Sequence, residues 1–255
     1  MRAEPAGDFD YEQDGSHYSA IRRPEPRFAR AIRAALGDAS SLINVGAGAG
    51  SYEPEDITVT PVEPSASMRS QRPAHLAPAV DAAAEDLPYP DGAFDAALAS
   101  VTVHQWSDLA RGLAEVRRVT TGPIVVMTFE PAALRGFWLG DYAPALIERE
   151  SGRMPELDRL ADLLGGDVRI DELPIPADCT DGFAEAYFGR PEAFLDVRVR
   201  RSQSAWGFID PDEETYSVER LRTALEDGSW DTRFGDFRTA PEYAGSLRLV
   251  VATPG

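Results

Sequence analysis

The chain has 255 residues, and 43% of them are hydrophobic, which is enough for a packed core and excludes a disordered chain. Its net charge of −18 argues against a nucleic-acid substrate, because binding to phosphates needs a basic surface. The single cysteine, Cys179, excludes an intramolecular disulfide framework and a zinc site built from several cysteines.

The pattern of apolar residues suggests no membrane segment. No apolar run reaches spanning length, and the first residues, MRAEPAGDFDYEQDG, lack the apolar core of a signal peptide. We therefore expect a cytoplasmic protein that does not bind a membrane. No metal site is predicted, because Asp178 and Asp181 around Cys179 have no further ligands nearby and are interpreted as helix-capping residues. The oligomeric state is left open.

The first predicted element is a helix that follows a polar stretch at residues 1–15. Phe28, Ile32 and Leu36 recur on one helical face, and Gly37 ends the helix.

A strand, a glycine-rich turn and a second strand come next. Leu42, Ile43 and Val45 form an apolar strand, Gly46, Gly48 and Gly50 follow in the sequence VGAGAG, and Thr58 to Val62 form the second strand. Alternating glycines let a ligand approach the backbone closely, because no Cβ stands in the way. Glu63 follows the second strand, where a carboxylate can accept hydrogen bonds from the hydroxyls of a ribose. These features predict a nucleoside site beyond the strand ends, and a tight turn without a ligand is the alternative.

The type of nucleoside can be narrowed from the residues after the turn. A dinucleotide fingerprint needs a third glycine that opens a helix for the pyrophosphate, but residue 51 is Ser and SYEPEDI is a poor helix with three acids. S-adenosylmethionine (SAM) has a positive sulfonium and no phosphate, so an acidic neighbourhood suits it better.

Four motifs in order carry a family resemblance: VGAGAG, VEPSASM, AAAEDLPYPDGAFDAALAS and VHQW. In this spacing, over residues 11–130, the chain resembles the class I SAM-dependent methyltransferases, and in particular the type 11 group that includes quinone-biosynthesis enzymes. Two positions depart from the pattern. Asn44 stands where the family usually has an acid, and Ala83 stands where an Asp often precedes Ala-Glu.

The resemblance implies how the cofactor is held. It places Tyr18, with Arg22 or Arg23, near the carboxylate of SAM, for which a guanidinium fork is suited; a solvated basic turn is the alternative for the arginines. It also places Ala84 and Glu85 beside the adenine, and Ser100 beside the transfer centre. Met68 can pack on the adenine face, although core filling explains this residue equally well.

The loop Thr102 to Asp108 is where an acceptor should meet the methyl group. His104 is the catalytic candidate, because a neutral imidazole can take the proton that an oxygen or nitrogen nucleophile releases. In the alternative interpretation His104 and Trp106 only shape the wall. Methyl transfer from a sulfonium often needs positioning alone.

The rest of the chain predicts further elements of the sheet and an insertion. Residues 80–84 are predicted as a strand of small residues and residues 94–99 as the fourth strand. Residues 109–119 form an amphipathic helix, 122–129 a buried strand, and VRIDELPIP and SLRLVVATP the last two strands. Residues 178–240 contain GFAEAYFGRPEAFL and VERLRTALEDG, both of which have a helical period. Similar enzymes cover the acceptor pocket with such a segment. The candidate acceptor-binding residues are Trp106, Trp138, Tyr187 and Arg190, and the private core of a helical subdomain is the alternative for those in the insertion.

The sequence therefore predicts an α/β fold with a Rossmann-like, mostly parallel seven-stranded sheet and a helical cap insertion. The expected division is an N-terminal cap (1–40), a SAM-binding core (41–177), a substrate cap (178–240) and the final strand of the core (241–255). The expected function is methyl transfer from SAM to a small-molecule O, N or C nucleophile, with S-adenosylhomocysteine (SAH) as product. The alternatives are a SAM-binding protein without methyl transfer and an enzyme that uses SAM in other chemistry.

Overall fold

Eight strands are present in residues 23–255, the part of the chain that the computed structural model describes. In chain order they are β1 (Ser41–Val45), β2 (Thr58–Val62), β3 (Ala96–Ser100), β4 (Ile124–Phe129), β5 (Asp167–Glu172), β6 (Ile175–Pro176), β7 (Glu242–Tyr243) and β8 (Leu247–Thr253). Six of them form the central sheet in the order β2-β1-β3-β4-β8-β5, while β6 and β7 pair with each other.

The central sheet is mostly parallel, as predicted. Strand β1 pairs in parallel with β2 and β3, and β3 pairs in parallel with β4, whereas β8 runs antiparallel between β4 and β5. Strands β1 to β4 therefore end at the same edge of the sheet, at Val45, Val62, Ser100 and Phe129. Ligands of open α/β sheets bind at this edge.

The prediction of seven strands is wrong by one, because residues 80–84 do not form a strand. Val80 makes a single parallel bridge with Val62, in which Val80 N donates to Pro61 O and Glu63 N donates to Val80 O. The following residues, DAAA, have low strand propensity and do not extend this bridge into a ladder.

Nine α-helices surround the sheet in the described residues: α1 (Pro26–Ala35), α2 (Ala66–Ser70), α3 (Leu109–Val119), α4 (Pro131–Arg135), α5 (Pro144–Arg153), α6 (Leu157–Leu164), α7 (Val197–Arg201), α8 (Pro211–Glu226) and α9 (Ser229–Phe234). The predicted helices at residues 28–36 and 109–119 are confirmed. None of the helices in residues 23–255 is both long and apolar enough to cross a bilayer.

One predicted helix is wrong in type. GFAEAYFGRPEAFL forms two 3₁₀ helices, Ala184–Tyr187 and Pro191–Leu195, in place of α-helix. Gly189 lies between them and Pro191 begins the second one. A Cβ on Gly189 would lie 2.4 Å from Phe237 O, so the chain passes close to a neighbouring backbone at this glycine.

Two apolar clusters cover the two faces of the sheet, and alternate residues of each strand point into one or the other. On one face Ile43, Ala97 and Val126 pack with Leu113 of α3 and Leu160 of α6. The cluster on the other face contains Leu42, Val125 and Leu249, together with Phe28 and Ile32 of α1, and it continues without a break into Trp138, Phe194, Trp206 and Trp230. The aromatic residues of the insertion thus share a core with the sheet. The domain boundaries at residues 40, 177 and 240 stay a prediction.

Candidate functional site

The glycine-rich turn leaves the end of β1 and is tied to β2. Gly46 N and Ala47 N both donate to Val62 O at 2.9 Å. Gly46, Gly48 and Gly50 have φ values of +71°, +51° and +98°, which side-chain-bearing residues rarely adopt. A Cβ on Gly46 would lie 2.0 Å from Thr102 Oγ1. The turn and the loop after β3 therefore touch, and only glycine permits this contact.

Glu63 lies at the end of β2 and holds the turn from the other side. Its Oε2 accepts a 2.8 Å hydrogen bond from Gly48 N, and its Oε1 accepts one of 2.8 Å from Ser65 N. The residue is only 8% exposed. Burial raises the pKa of its carboxyl, although the two backbone N–H groups act in the opposite direction. Each carboxylate oxygen can accept a further hydrogen bond.

A buried ion pair stabilises the turn, and the sequence analysis did not predict it. Arg72 Nη2 lies 2.8 Å from Glu53 Oε2, and both side chains are almost fully buried. Glu53 Oε1 accepts a 3.0 Å hydrogen bond from Asn44 Nδ2, and Arg72 Nη1 donates to Gly48 O. Asn44 is the position at which the sequence lacks an expected acid, so Glu53 brings a carboxylate to the same place. The sequence did contain an indication of this ion pair, because Glu53 is one of the three acids in SYEPEDI.

Met68 lies beside the turn, whereas Ala84 packs near Gly112 of α3 and Glu85 contacts the 102–108 loop. Met68 is buried, and its Cε would be 3.3 Å from a Cβ on Gly48. Ala84 is buried as well. Glu85 Oε1 accepts hydrogen bonds from Ser107 Oγ at 2.9 Å and from Asp108 N at 3.0 Å, and so it anchors the end of the 102–108 loop.

A cleft opens beside the turn, above the ends of β3 and β4. Four parts of the chain line it. The strand ends contribute Val101 and Phe129, the loop after β3 contributes His104 and Gln105, and helices α4 and α5 contribute Leu134, Leu146, Ile147 and Glu150. The insertion contributes Phe183, Ala184, Glu185, Gln203, Ser204 and Ala205. The cavity volume is about 50 Å³. Val101 has a φ of +51°, which is rare for a β-branched residue and marks a constrained backbone between β3 and the loop.

Glu185 is the most deeply buried ionisable residue of the cleft wall. Its carboxylate accepts hydrogen bonds from Ser246 N and Ser246 Oγ, just before β8. Burial raises the pKa of Glu185 to about 7, against the effect of these hydrogen bonds. Both oxygens face Ser246, so the carboxylate fixes the first 3₁₀ helix of the insertion to the sheet.

The predicted site residues are brought together only in part. His104 lines the cleft, and Ser100 lies next to it as the last residue of β3, paired with Met127. Arg23 is exposed, and Tyr18 lies outside the described residues. Trp106 lies on the α3 side, where its ring would be 2.6 Å from a Cβ on Gly112.

The other three candidate acceptor residues lie away from the cleft lining. Trp138 is buried edge-on against Trp230 and donates from Nε1 to Phe188 O at 2.8 Å. Tyr187 packs edge-on against Phe194, and the guanidinium of Arg190 lies 5.1 Å from the Tyr187 ring centre. Acceptor binding by these residues stays a prediction. Sequence reasoning missed Glu150, Glu185 and Gln203, which carry no local motif.

Comparison with known proteins assigns the family. The family model described as "Methyltransferase domain" matches residues 43–122. A solved structure from Anabaena variabilis, assigned as a methyltransferase from an antibiotic biosynthesis pathway, is 30% identical, with a TM-score of 0.85 over 91% of this chain and 99% of its own. The chain belongs to the SAM-dependent methyltransferases.

More distant structures share the fold of this methyltransferase. A SAM-dependent methyltransferase of Thermotoga maritima is 16% identical, with a TM-score of 0.56 over 96% of this chain and 97% of its own. The cyclase SpnF is 19% identical, with a TM-score of 0.51 over 89% and 81%. No curated protein matches the chain.

Proposed function

We propose that this methyltransferase transfers the methyl group of SAM to an O, N or C nucleophile of a small molecule bound in the cleft. One observation carries the proposal: the loop that follows β3 contacts both the glycine-rich turn and the cleft. Thr102 touches Gly46 of the turn, while Val101 and His104 line the cleft. A methyl donor bound at the turn and an acceptor bound in the cleft would therefore both lie against this loop, and so close to each other.

The residues around the turn fit SAM. Glu63 is a buried carboxylate with acceptor capacity left for the two ribose hydroxyls. Met68 and Ala84 supply apolar contact for the adenine, and the glycines leave room for the backbone to approach it. The resemblance adds Tyr18, Arg23, Glu85 and Ser100 to this proposed cofactor site. In the described residues no group of three or more His, Cys, Asp or Glu side chains is placed to hold a metal ion.

The chain's own contribution to the reaction is mainly positioning. When bound, SAM supplies an electrophilic methyl group on a sulfonium sulfur, and SAH is the product. The apolar side chains that α5 and the insertion contribute to the cleft would limit the access of water to the reacting groups, and the constrained backbone at Val101 would fix the loop between the two ligands. His104 stands where it can hold or take a proton from an oxygen or nitrogen nucleophile.

Two alternatives share the cofactor site: binding of SAM without methyl transfer, and use of SAM in other chemistry. The likeness to the cyclase SpnF concerns the fold alone, so it gives the second alternative no more support than the fold does. The relative that is 30% identical supports methyl transfer.

A two-part experiment tests the proposal. Mass spectrometry of the purified protein should detect bound SAM or SAH, and incubation with SAM and a panel of phenols, amines and β-dicarbonyl compounds should release SAH together with a product that is 14 mass units heavier, about one CH₂. Bound SAH with conversion of a panel compound at unchanged mass would support the alternative chemistry. Preferential binding of NAD would overturn the proposal.

A further inference from the structure

The side chain of Gln203 has an unmet hydrogen-bonding capacity in the wall of the cleft. The residue follows α7 and is 6% exposed. Neither Oε1 nor Nε2 of its amide has a hydrogen-bond partner within residues 23–255. An exchange of the two amide atoms would not alter this, because both positions are unpaired. A buried polar group without a partner is costly, so such groups in native proteins usually await a ligand or a water molecule.

The other polar side chains of the lining already have partners. Glu150 pairs with Arg153 at 2.6 Å, Ser204 Oγ lies 3.4 Å from Arg153 Nη1, and Glu185 is committed to Ser246. His104 Nε2 lies 3.4 Å from Gln105 Nε2. Gln203 is thus the polar lining side chain whose two terminal atoms remain to be satisfied.

The charges of the lining restrict the ligand further. Among the described residues that line the cleft, two are glutamates and none is Lys or Arg. The nearby Arg153 is neutralised by Glu150, and its guanidinium lies 4.4 Å from the ring centre of Phe208. The other lining residues are the uncharged polar Gln105, Gln203 and Ser204, the imidazole of His104, and apolar side chains. An anionic ligand would lose its hydration here without gaining a cation, which disfavours carboxylates and phosphates.

We propose that Gln203 anchors the methyl acceptor, and that the acceptor carries an uncharged group with a hydrogen-bond donor and acceptor side by side, as in a carboxamide, on an apolar body. This inference rests on the proposed function. A carboxamide would pair with Gln203 through two antiparallel N–H···O bonds, which gives both Oε1 and Nε2 of Gln203 a partner. A site built in this way rejects analogues that lack one of the two groups, because its own amide then stays unsatisfied.

Three related compounds test the proposal: salicylamide, methyl salicylate and salicylate. They share a phenol and differ in presenting a donor with an acceptor, an acceptor alone, or an anion. Calorimetry on the SAH-bound protein should show salicylamide binding at least about tenfold more tightly than either relative, as two buried hydrogen bonds warrant. Equal affinities, or tighter binding of salicylate, would overturn the proposal.

Variants separate recognition from general stability. Gln203→Leu should weaken salicylamide about tenfold, change methyl salicylate less than about twofold, and leave SAH affinity unchanged. Because the substitution removes an unpaired buried amide, the variant should melt at or above the wild-type temperature, so lost binding could not be ascribed to unfolding. A Gln203→Leu variant that retains the preference for salicylamide would overturn the role of this residue.

Thr120→Val is the matched control. Thr120 Oγ1 is another buried polar atom without a partner in residues 23–255, and it lies before β4, at the opposite end of the sheet from the cleft. This variant should keep the full preference for salicylamide. An equal loss in both variants would overturn the proposal. Failure of the wild-type protein to bind SAH would refute the proposed function, whereas intact SAH binding without a preference for salicylamide would refute this inference alone.

Discussion

The phenol of Tyr52 donates a 2.7 Å hydrogen bond to Asp181 Oδ2, a residue 129 positions further along the chain. Tyr52 ends the glycine-rich turn with a φ of +64°, and Asp181 begins the insertion. The same phenol oxygen accepts a hydrogen bond from Glu25 N, immediately before α1. One hydroxyl therefore joins the glycine-rich turn, the first described helix and the insertion.

We expect Tyr52→Phe to lower the free energy of unfolding by about 1 to 3 kcal/mol, because a buried carboxylate and a buried N–H lose this partner. Urea denaturation measures the change. Tyr216→Phe is the control, since Tyr216 is 65% exposed on α8. An unchanged stability for Tyr52→Phe would show that water replaces the hydroxyl at this junction.

Glu63→Ala should weaken SAH binding by about 1 to 3 kcal/mol, because the ribose would lose a charged hydrogen-bond partner and Gly48 its anchor. Calorimetry gives the affinity directly. Glu55→Ala, in the exposed part of the crossover between β1 and β2, should leave the affinity unchanged. If both variants bind SAH as the wild type does, Glu63 is not part of the cofactor site.

Glu185 should make stability depend on pH. Burial raises its pKa from 4.5 to about 7, so between these values the folded protein holds a proton that the unfolded chain has released. The free energy of unfolding should therefore fall as pH rises through this window, by on the order of 1 to 3 kcal/mol, and level off above it.

Glu185→Gln cannot titrate at this position, so its stability relative to wild type should improve as pH rises from 5 to about 8. Urea denaturation at four pH values resolves the trend, and Glu226→Gln at the exposed end of α8 serves as control. Parallel pH profiles for wild type and Glu185→Gln would rule out a raised pKa at Glu185.

His104→Gln should lower turnover by less than about tenfold, mainly through acceptor affinity, if His104 shapes the wall of the cleft. A general base would behave differently: turnover would fall about a hundredfold or more, and the wild-type rate would rise with pH through about 6 to 7. Steady-state kinetics with the acceptor found in the panel distinguishes the two roles. His75→Gln, in the exposed loop after α2, should have no effect.

The segments of the insertion that line the cleft should exchange amide hydrogens faster without ligand than with SAH and acceptor. The cavity volume of about 50 Å³ holds only a few water molecules, so an acceptor with a ring must displace the wall. Hydrogen exchange at residues 183–185 and 203–205 measures this movement, and the buried strand β4 provides the internal reference. Identical exchange in both states would make the insertion a fixed wall.

Local patterns in the sequence were sufficient to predict the elements around the glycine-rich turn. The glycine turn, Glu63 and helix α3 are each encoded within a few consecutive residues, because a turn, a strand end and an amphipathic period depend on near neighbours. The structure confirms their positions. The predicted seventh strand is wrong because a strand also needs hydrogen bonds to a neighbouring strand. Residues 81–84 (DAAA) do not extend the single bridge at Val80 into a ladder.

The structure of the insertion and of the cleft wall depends on contacts between residues far apart in the chain. The sequence predicts acceptor binding by Trp138, yet its ring packs against Trp230, far along the chain, in the core shared with the sheet. Gln203 belongs to no motif, and only the tertiary structure places its amide in the wall of the cleft, buried and without a partner in the described chain. Burial and unmet hydrogen bonds arise from the packing of distant segments, and composition or period along the chain does not encode them.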